Sequence, residues 1–376
     1  MTVPATADAH VGLHSEDGAH RGERADRAVD PVIKVEDLAW IEFEKPDLDR
    51  AERFARDFGF SVALRTGREL HLRGSWAGSV CVVIRKAARS RYIGPVFRAA
   101  DASDLDRLAR VHDTLVRTNA EMGCREVLLR NPDGGPVRVV ADVPQLSGLP
   151  DQEVLTWNQG SQLSRINQVQ RPAHEPARVQ RLGHVVVETP RFVANLEWYL
   201  RNLGLIVSDY LYFPGQRERG PTMAFIRCDR GSTPADHHTL ALTLGPQSRY
   251  VHSAYQVADL DAVAAGGAYL AEQGHHHAWG IGRHIQGSQI FDYWRDPDHL
   301  MVEHFADSDK FDNTVPAGWA QMGASGLSQW GPSVTLDFLD ARPTPQLIRA
   351  VVQALREPEN EFDVNRFLGL LKVARS

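Results

Sequence analysis

From Leu182 to Glu188 the chain runs LGHVVVE, a strand-like stretch, and at Thr189-Pro190 its period changes. Phe192, Leu196, Tyr199, Leu200 and Leu203 then recur at helical spacing. Thr189 and Pro190 supply an N-cap and first-turn pair, and Gly204 supplies a stop. The same grammar occurs earlier: strand-like Asp37 to Phe43, Pro46, apolar Leu48, Ala51, Ala55 and Phe58, then Gly59. Downstream, VFRAADASDLDRLA from Val96 resembles SAYQVADLDAVAA from Ser253, and RNPDGGPVRVVAD from Arg130 resembles RDPDHLMVEHFAD from Arg295. This repetition predicts an α+β fold of tandem βαβββ modules, two to each half, forming two barrel-like domains.

The first half spans 31–145 and the second 179–312, joined by a Gln/Asn/Ser-rich linker over 146–178. Residues 1–30 are polar, have too little bulky apolar material for a core, and are expected to be disordered. They also lack the apolar stretch of a secretion signal. Residues 313–376 form an extension in which a loop rich in Gly, Ser and Trp precedes two short amphipathic helices, near 344–356 and 360–373, read as packing or oligomer elements.

Composition narrows the function. The 376 residues, 43% hydrophobic and 24% charged, suffice for two packed cores. A formal charge of -6, with arginines interleaved among acids, leaves no basic stripe and argues against a general nucleic-acid binder. Cys81, Cys124 and Cys228 form an odd set without CxxC spacing, which supports neither a disulfide framework nor a thiolate zinc site and fits a reducing cytoplasm. No apolar run approaches the roughly 20 residues of a membrane span.

The chemistry concentrates between His184 and Asp312. His184, His252 and Glu303 lie at corresponding places in strand-like segments, and two imidazoles with one carboxylate are the set that leaves an open face on an iron(II) ion. Taken singly, each is more often an ordinary strand residue. Aligning the halves places Trp40, Gly94 and Arg138 at the corresponding positions, so the first half is expected to be metal-free, with one active site in the second. His238 is the candidate acid/base, since an imidazole titrates near neutrality. Its neighbour His237 is expected to point to the opposite face of a strand and to be structural. Tyr293 and His284 can hydrogen-bond a substrate oxygen and stabilise charge developing there, although Tyr293 reads equally well as half-buried core. The run His275, His276 and His277 is discounted as a metal site, because neighbours on a strand alternate faces. Gly280, Gly282 and Gly287 do not make a dinucleotide fingerprint and are expected to let the backbone approach a ligand.

At these residues, above all HAWGIGRHIQGSQIFDYWRDP followed by VEHFAD, the sequence resembles the type I extradiol ring-cleavage dioxygenases of the vicinal oxygen chelate superfamily. The resemblance is strong over 182–312 and weaker over 32–145. It implies a cytoplasmic and often oligomeric enzyme of aromatic catabolism that cleaves a small aromatic diol with dioxygen, using iron(II) or less often manganese(II). It places the metal ligands on His184, His252 and Glu303, the acid/base on His238, and the substrate-binding pair on His284 and Tyr293. Two departures touch the pocket rim: Val251 stands where many members have histidine, and DPDHLMVEH replaces a more usual Asp-Pro-aromatic-Gly turn. Two rival readings are a non-oxidative metal-dependent isomerase or lyase on the same scaffold and a ligand-sequestering binding protein. The rim itself is expected to depend on Trp279, Phe291, His277 and the segment around Trp319 and Trp330.

Overall fold

The computed structural model describes residues 16–323, 325–340 and 344–373. The first half runs β1 (Val35–Lys45), α1 (Leu48–Asp57), β2 (Ser61–Arg65), β3 (Glu69–Arg73), β4 (Val82–Lys86), then β5 (Arg91–Ala99), α2 (Ser103–Val111), β6 (Arg117–Asn119), β7 (Cys124–Arg130) and β8 (Pro136–Ala141). The second runs β9 (Arg181–Thr189), α3 (Phe192–Leu203), β10 (Leu205–Tyr212), β11 (Met223–Cys228), β12 (Leu240–Leu244), then β13 (Arg249–Gln256), α4 (Leu260–Glu272), β14 (His276–His284), β15 (Ile290–Arg295) and β16 (Met301–Ala306). Each half therefore holds the βαβββ order twice. In every module the first strand pairs in parallel with the last, and the two opening strands of a half pair antiparallel.

The first sheet has the order β2-β3-β4-β1-β5-β8-β7-β6. In the second, β11-β12-β9-β13-β16-β15-β14 forms the body of a longer sheet. It gains β17 (Gly318–Gln321) beside β10 and β18 (Ser328–Trp330) beside β14, both from the extension. Residues on β11 and on β14, far apart in that order, line one cavity, so the sheet curls around it. The other face is covered by helices. Phe192, Leu196, Tyr199, Leu200 and Leu203 of α3 are all buried, as their spacing predicts.

Helix starts differ in detail. Asp47 caps α1, accepting from the backbone N–H of Arg50 at 2.9 Å. The helix α3 begins only after Arg191, so Thr189 is not its N-cap. Glu361, from the extension, accepts from the first-turn N–H groups of Val193 and Ala194 instead, at 2.8 and 3.3 Å. A tertiary cap of this kind has no local signature. Gly204 ends the helix in the left-handed region, φ 64°, as its position predicts.

The expectation of a disordered tail over 1–30 requires correction. Residues 1–15 lie outside the described residues, but those that follow run along the second half. Tyr210 donates to the carbonyl of Ala25 at 2.8 Å, Arg217 to Glu23 at 2.8 Å, and the Val207 N–H to the carbonyl of Asp26 at 2.8 Å. The segment needs no core of its own because it packs on a neighbour's. In the extension, α5 (Pro345–Ala354) and α6 (Val364–Val373) form where the amphipathic pattern places helices.

The halves are joined by buried polar contacts. Lys45 forms ion pairs with Asp296 and, at 3.0 Å, with Asp298. His304 donates from Nε2 to the carbonyl of Phe58 at 2.7 Å and stacks on that ring at 3.8 Å. Among the described residues no helix is long and apolar enough to cross a membrane.

Candidate metal centre and active site

The central strand of that seven-strand body is β13, and its residue Ala254 pairs with His184 on β9 and with Glu303 on β16. Alanine between two long side chains leaves open space above itself. His252, two residues back on the same strand and therefore on the same face, completes the set. The His184 and His252 Nε2 atoms lie 3.4 Å apart, and 3.4 and 3.3 Å from Glu303 Oε2. All three residues are buried.

This donor set suits a metal. Ligands about 2.1 Å from one ion and at right angles to each other stand roughly 3 Å apart, close to the spacing observed. Both Glu303 carboxylate oxygens are buried without a hydrogen-bond partner among the described residues. Leaving such a carboxylate unpaired in the interior is costly. Burial pushes the Glu303 carboxyl up, but His184 and His252 together hold it well below the usual carboxylate range. Burial lowers the pKa of His184, favouring the neutral imidazole that a metal requires.

His184 and His252 share a cavity of about 60 Å³ with His238, His284, Tyr293 and Gln289. The His238 ring lies 3.9 Å from that of His184. Burial, then the neighbouring imidazoles His184, His237 and His252, push its pKa well below the ordinary value. His284 is brought to about 4, chiefly by burial. Its Nδ1 lies 2.8 Å from the Leu327 carbonyl, which can only accept, so Nδ1 carries the hydrogen. Its Nε2, 2.8 Å from the Tyr293 hydroxyl, must then accept. Tyr293 therefore donates to His284 and leaves its oxygen as an acceptor. Burial, then the charge of Glu303, raises the Tyr293 phenol well above its ordinary pKa.

The remaining candidates divide. His275, His276 and His277 do not converge; each faces its own carboxylate, Asp57, Asp337 and Asp292, at 2.9, 3.2 and 2.7 Å. The glycines around Arg283 make room for protein rather than ligand. A Cβ on Gly280 would lie 2.3 Å from Asp292, and one on Gly287, where φ is +81°, would lie 3.0 Å from His237. Trp319 packs on Tyr210 with ring centroids 4.7 Å apart, whereas Leu327 and Phe338 of the extension line the cavity. In the first half Trp40 pairs with Val96 and Val96 with Arg138, the rungs held by His184, Ala254 and Glu303 in the second. There the Arg138 guanidinium meets Glu42.

His237 departs from its expected place. The pair His237-His238 lies on a bend before β12, not within a strand, so the alternation of faces does not apply. Both rings are buried, with their Nδ1 atoms 3.1 Å apart. Gln289 was also not singled out by the sequence: it lines the cavity with both amide atoms buried and without a hydrogen-bond partner among the described residues.

The chain is 31% identical to metapyrocatechase 2 of Cupriavidus necator over 336 residues, covering 85% of this chain and 98% of the relative. Among solved structures, it is similar to the anaerobic substrate complex of homoprotocatechuate 2,3-dioxygenase from Brevibacterium fuscum. That match has 18% identity and a TM-score of 0.67, covering 84% of this chain and 95% of that one. It is also similar to the Mn(II)-bound glyoxalase from Novosphingobium aromaticivorans, at 20% identity and a TM-score of 0.67 over 88% of this chain and 99% of that one. The structural likenesses establish the vicinal oxygen chelate fold. No family model matches the chain. The chain belongs to the type I extradiol ring-cleavage dioxygenases. Its activity is accordingly the dioxygen-dependent opening of an aromatic diol ring.

Proposed function

We propose that this chain cleaves a catechol-type diol at an iron(II) ion held by His184, His252 and Glu303, with His238 as acid/base and Tyr293 and His284 as orienting groups. The observation that carries this reading is the convergence of the three candidate ligating groups within 4.8 Å of one another, with His184 and His252 lining the cavity that His238 and Tyr293 also line. A divalent metal there would supply a Lewis acid with neighbouring open positions for diol and dioxygen.

The protein's own groups would then act as follows. His238, neutral and desolvated, takes a proton from a diol hydroxyl and returns one later in the turnover. The Tyr293 oxygen accepts from the second hydroxyl and fixes the ring's orientation. Gln289 offers a donor and an acceptor to a ring substituent. An apolar cavity that takes up benzene measures about 150 Å³, so a bound ring requires the cavity to widen. The buried, unpaired cysteines support a cytoplasmic setting. Exposed Ile348, Val352, Val364 and Leu368 on α5 and α6 support assembly into an oligomer, which sedimentation would test.

The test is anaerobic reconstitution with iron(II), followed by catechol in air, reading oxygen uptake and a yellow ring-opened product. Equimolar uptake and colour, absent in Glu303→Ala together with its iron, is the expected result. Metal binding without oxygen uptake on any diol would point instead to a non-oxidative enzyme, and activity restored only by manganese(II) would replace the metal.

A further inference from the structure

We infer that His237 and Asp209 are positioning residues that set the tautomer of His238, so that its Nε2 lone pair is the nitrogen presented to the cavity. The inference rests on the acid/base reading of His238. Asp209, on β10, approaches His237 Nε2 with its Oδ2 at 2.5 Å, and His237 Nδ1 lies 3.1 Å from His238 Nδ1. A carboxylate only accepts, so the hydrogen of a neutral His237 sits on Nε2 and its Nδ1 is a lone pair. That lone pair can only accept, so the hydrogen of His238 sits on Nδ1. The nitrogen left to His238 is Nε2, free to take a proton from a substrate hydroxyl.

The chain carboxylate, imidazole, imidazole extends the logic by which a buried carboxylate fixes a catalytic histidine's tautomer. Without Asp209, His237 can reverse and present Nδ1–H to His238, which would then carry its own hydrogen on the cavity side and be unable to act as base. The surroundings hold the arrangement. The His237 carbonyl accepts from Ser208 Oγ at 2.5 Å, and that hydroxyl in turn accepts from buried Arg227 at 2.9 Å. Phe225 and Phe311 flank the His237 ring, with centroids 5.6 and 5.5 Å away, and Gly287 leaves the room it occupies.

The experiment compares iron-loaded wild type, His238→Phe, His237→Phe, His237→Gln and Asp209→Asn with catechol as probe, reading kcat and KM separately together with iron content. Glutamine can donate to Asp209 through its amide nitrogen and accept from His238 through its oxygen. The expected result is a fall in kcat of about 100-fold or more in His237→Phe, with KM within about threefold and iron retained, and recovery of most of that loss in His237→Gln. Asp209→Asn guards against a phenylalanine variant that fails to fold. Its expected loss is at least about tenfold in kcat with KM unchanged. Nitrogen-15 spectra of the zinc-loaded, diamagnetic chain should show the His238 hydrogen on Nδ1 in wild type and His237→Gln, and on Nε2 in part of the Asp209→Asn population. If His238→Phe is crippled while Asp209→Asn keeps wild-type kcat and an unaltered His238 tautomer, the positioning role is overturned and the acid/base reading stands. If His238→Phe itself turns over normally, the acid/base reading falls and the positioning role falls with it.

Discussion

At the scale of single residues, the cluster of His184, His252 and Glu303 was legible in the sequence as two imidazoles and one carboxylate at corresponding places in strand-like segments. Their absence from the matching places in the first half, and the resemblance to the extradiol dioxygenases, singled them out. The sequence singled out His284 and Tyr293 as candidates, but not the polarity of the hydrogen bond between them. No sequence pattern reveals that a backbone carbonyl at Leu327 fixes the His284 tautomer. His237 lies on a bend, so the alternation of faces along a strand does not describe its orientation. The separate roles proposed for the three ligands and for His238 predict separable losses. His238→Phe is expected to retain iron and bind catechol with near-normal affinity, while kcat falls by about 10²- to 10⁴-fold, the range typical of a lost general acid/base. Iron analysis with single-turnover kinetics checks it, and loss of iron in this variant would contradict the division of roles.

Among the elements, helices and strands followed their local periods, and the misses arose where one element borrows from another. Glu361 capping α3 is the clearest case. Its replacement by alanine should destabilise the chain by about 1 kcal/mol, the usual worth of an N-cap. A thermal melt would show this as a midpoint lowered by roughly 2–4 °C. A second link is Asp236, which accepts from both terminal nitrogens of Arg181 at 2.6 and 2.9 Å and pairs with Lys310. Burial raises this carboxyl, but Arg181 and Lys310 outweigh it and hold it below the usual range. The unfolded chain therefore takes up the proton more readily, so the link stabilises the fold at neutral pH and fades as pH falls below about 4. Asp236→Asn should cost roughly 3 kcal/mol at pH 7, at the low end for breaking a buried pair because Arg181 is partly wetted. Urea melts at pH 7 and pH 3.5 should show the gap between the two proteins narrowing in acid. A gap that is constant with pH would assign the loss to packing.

Over the whole molecule, the duplicated architecture was readable from repeated grammar, whereas the way the ends of the chain wrap the second half was not. Residues before the first strand and in the loop between the last module and α5 lack strong periodicity, and the docking of both ends of the chain is decided by surfaces that the sequence does not display. The extension reaches the cavity through Leu327 and Phe338, far along the chain from the metal-binding set. Phe338→Ala is expected to widen the opening and lower KM for catechols with bulky ring substituents by about tenfold relative to catechol itself, since burying one or two more methylenes is worth about 0.8 kcal/mol each. Competition kinetics between the two diols would detect it, and an unchanged ratio would place Phe338 outside the substrate's reach. Because Trp40 and Arg138 stand on the rungs that His184 and Glu303 hold in the other half, tolerance to mutation divides along the chain. Exchange in the first copy is limited by volume and charge balance, and side chains of like shape can replace one another. In the second copy, where the proposed metal ligands stand on those rungs, exchange at them is limited by coordination chemistry, which admits no substitute of similar size.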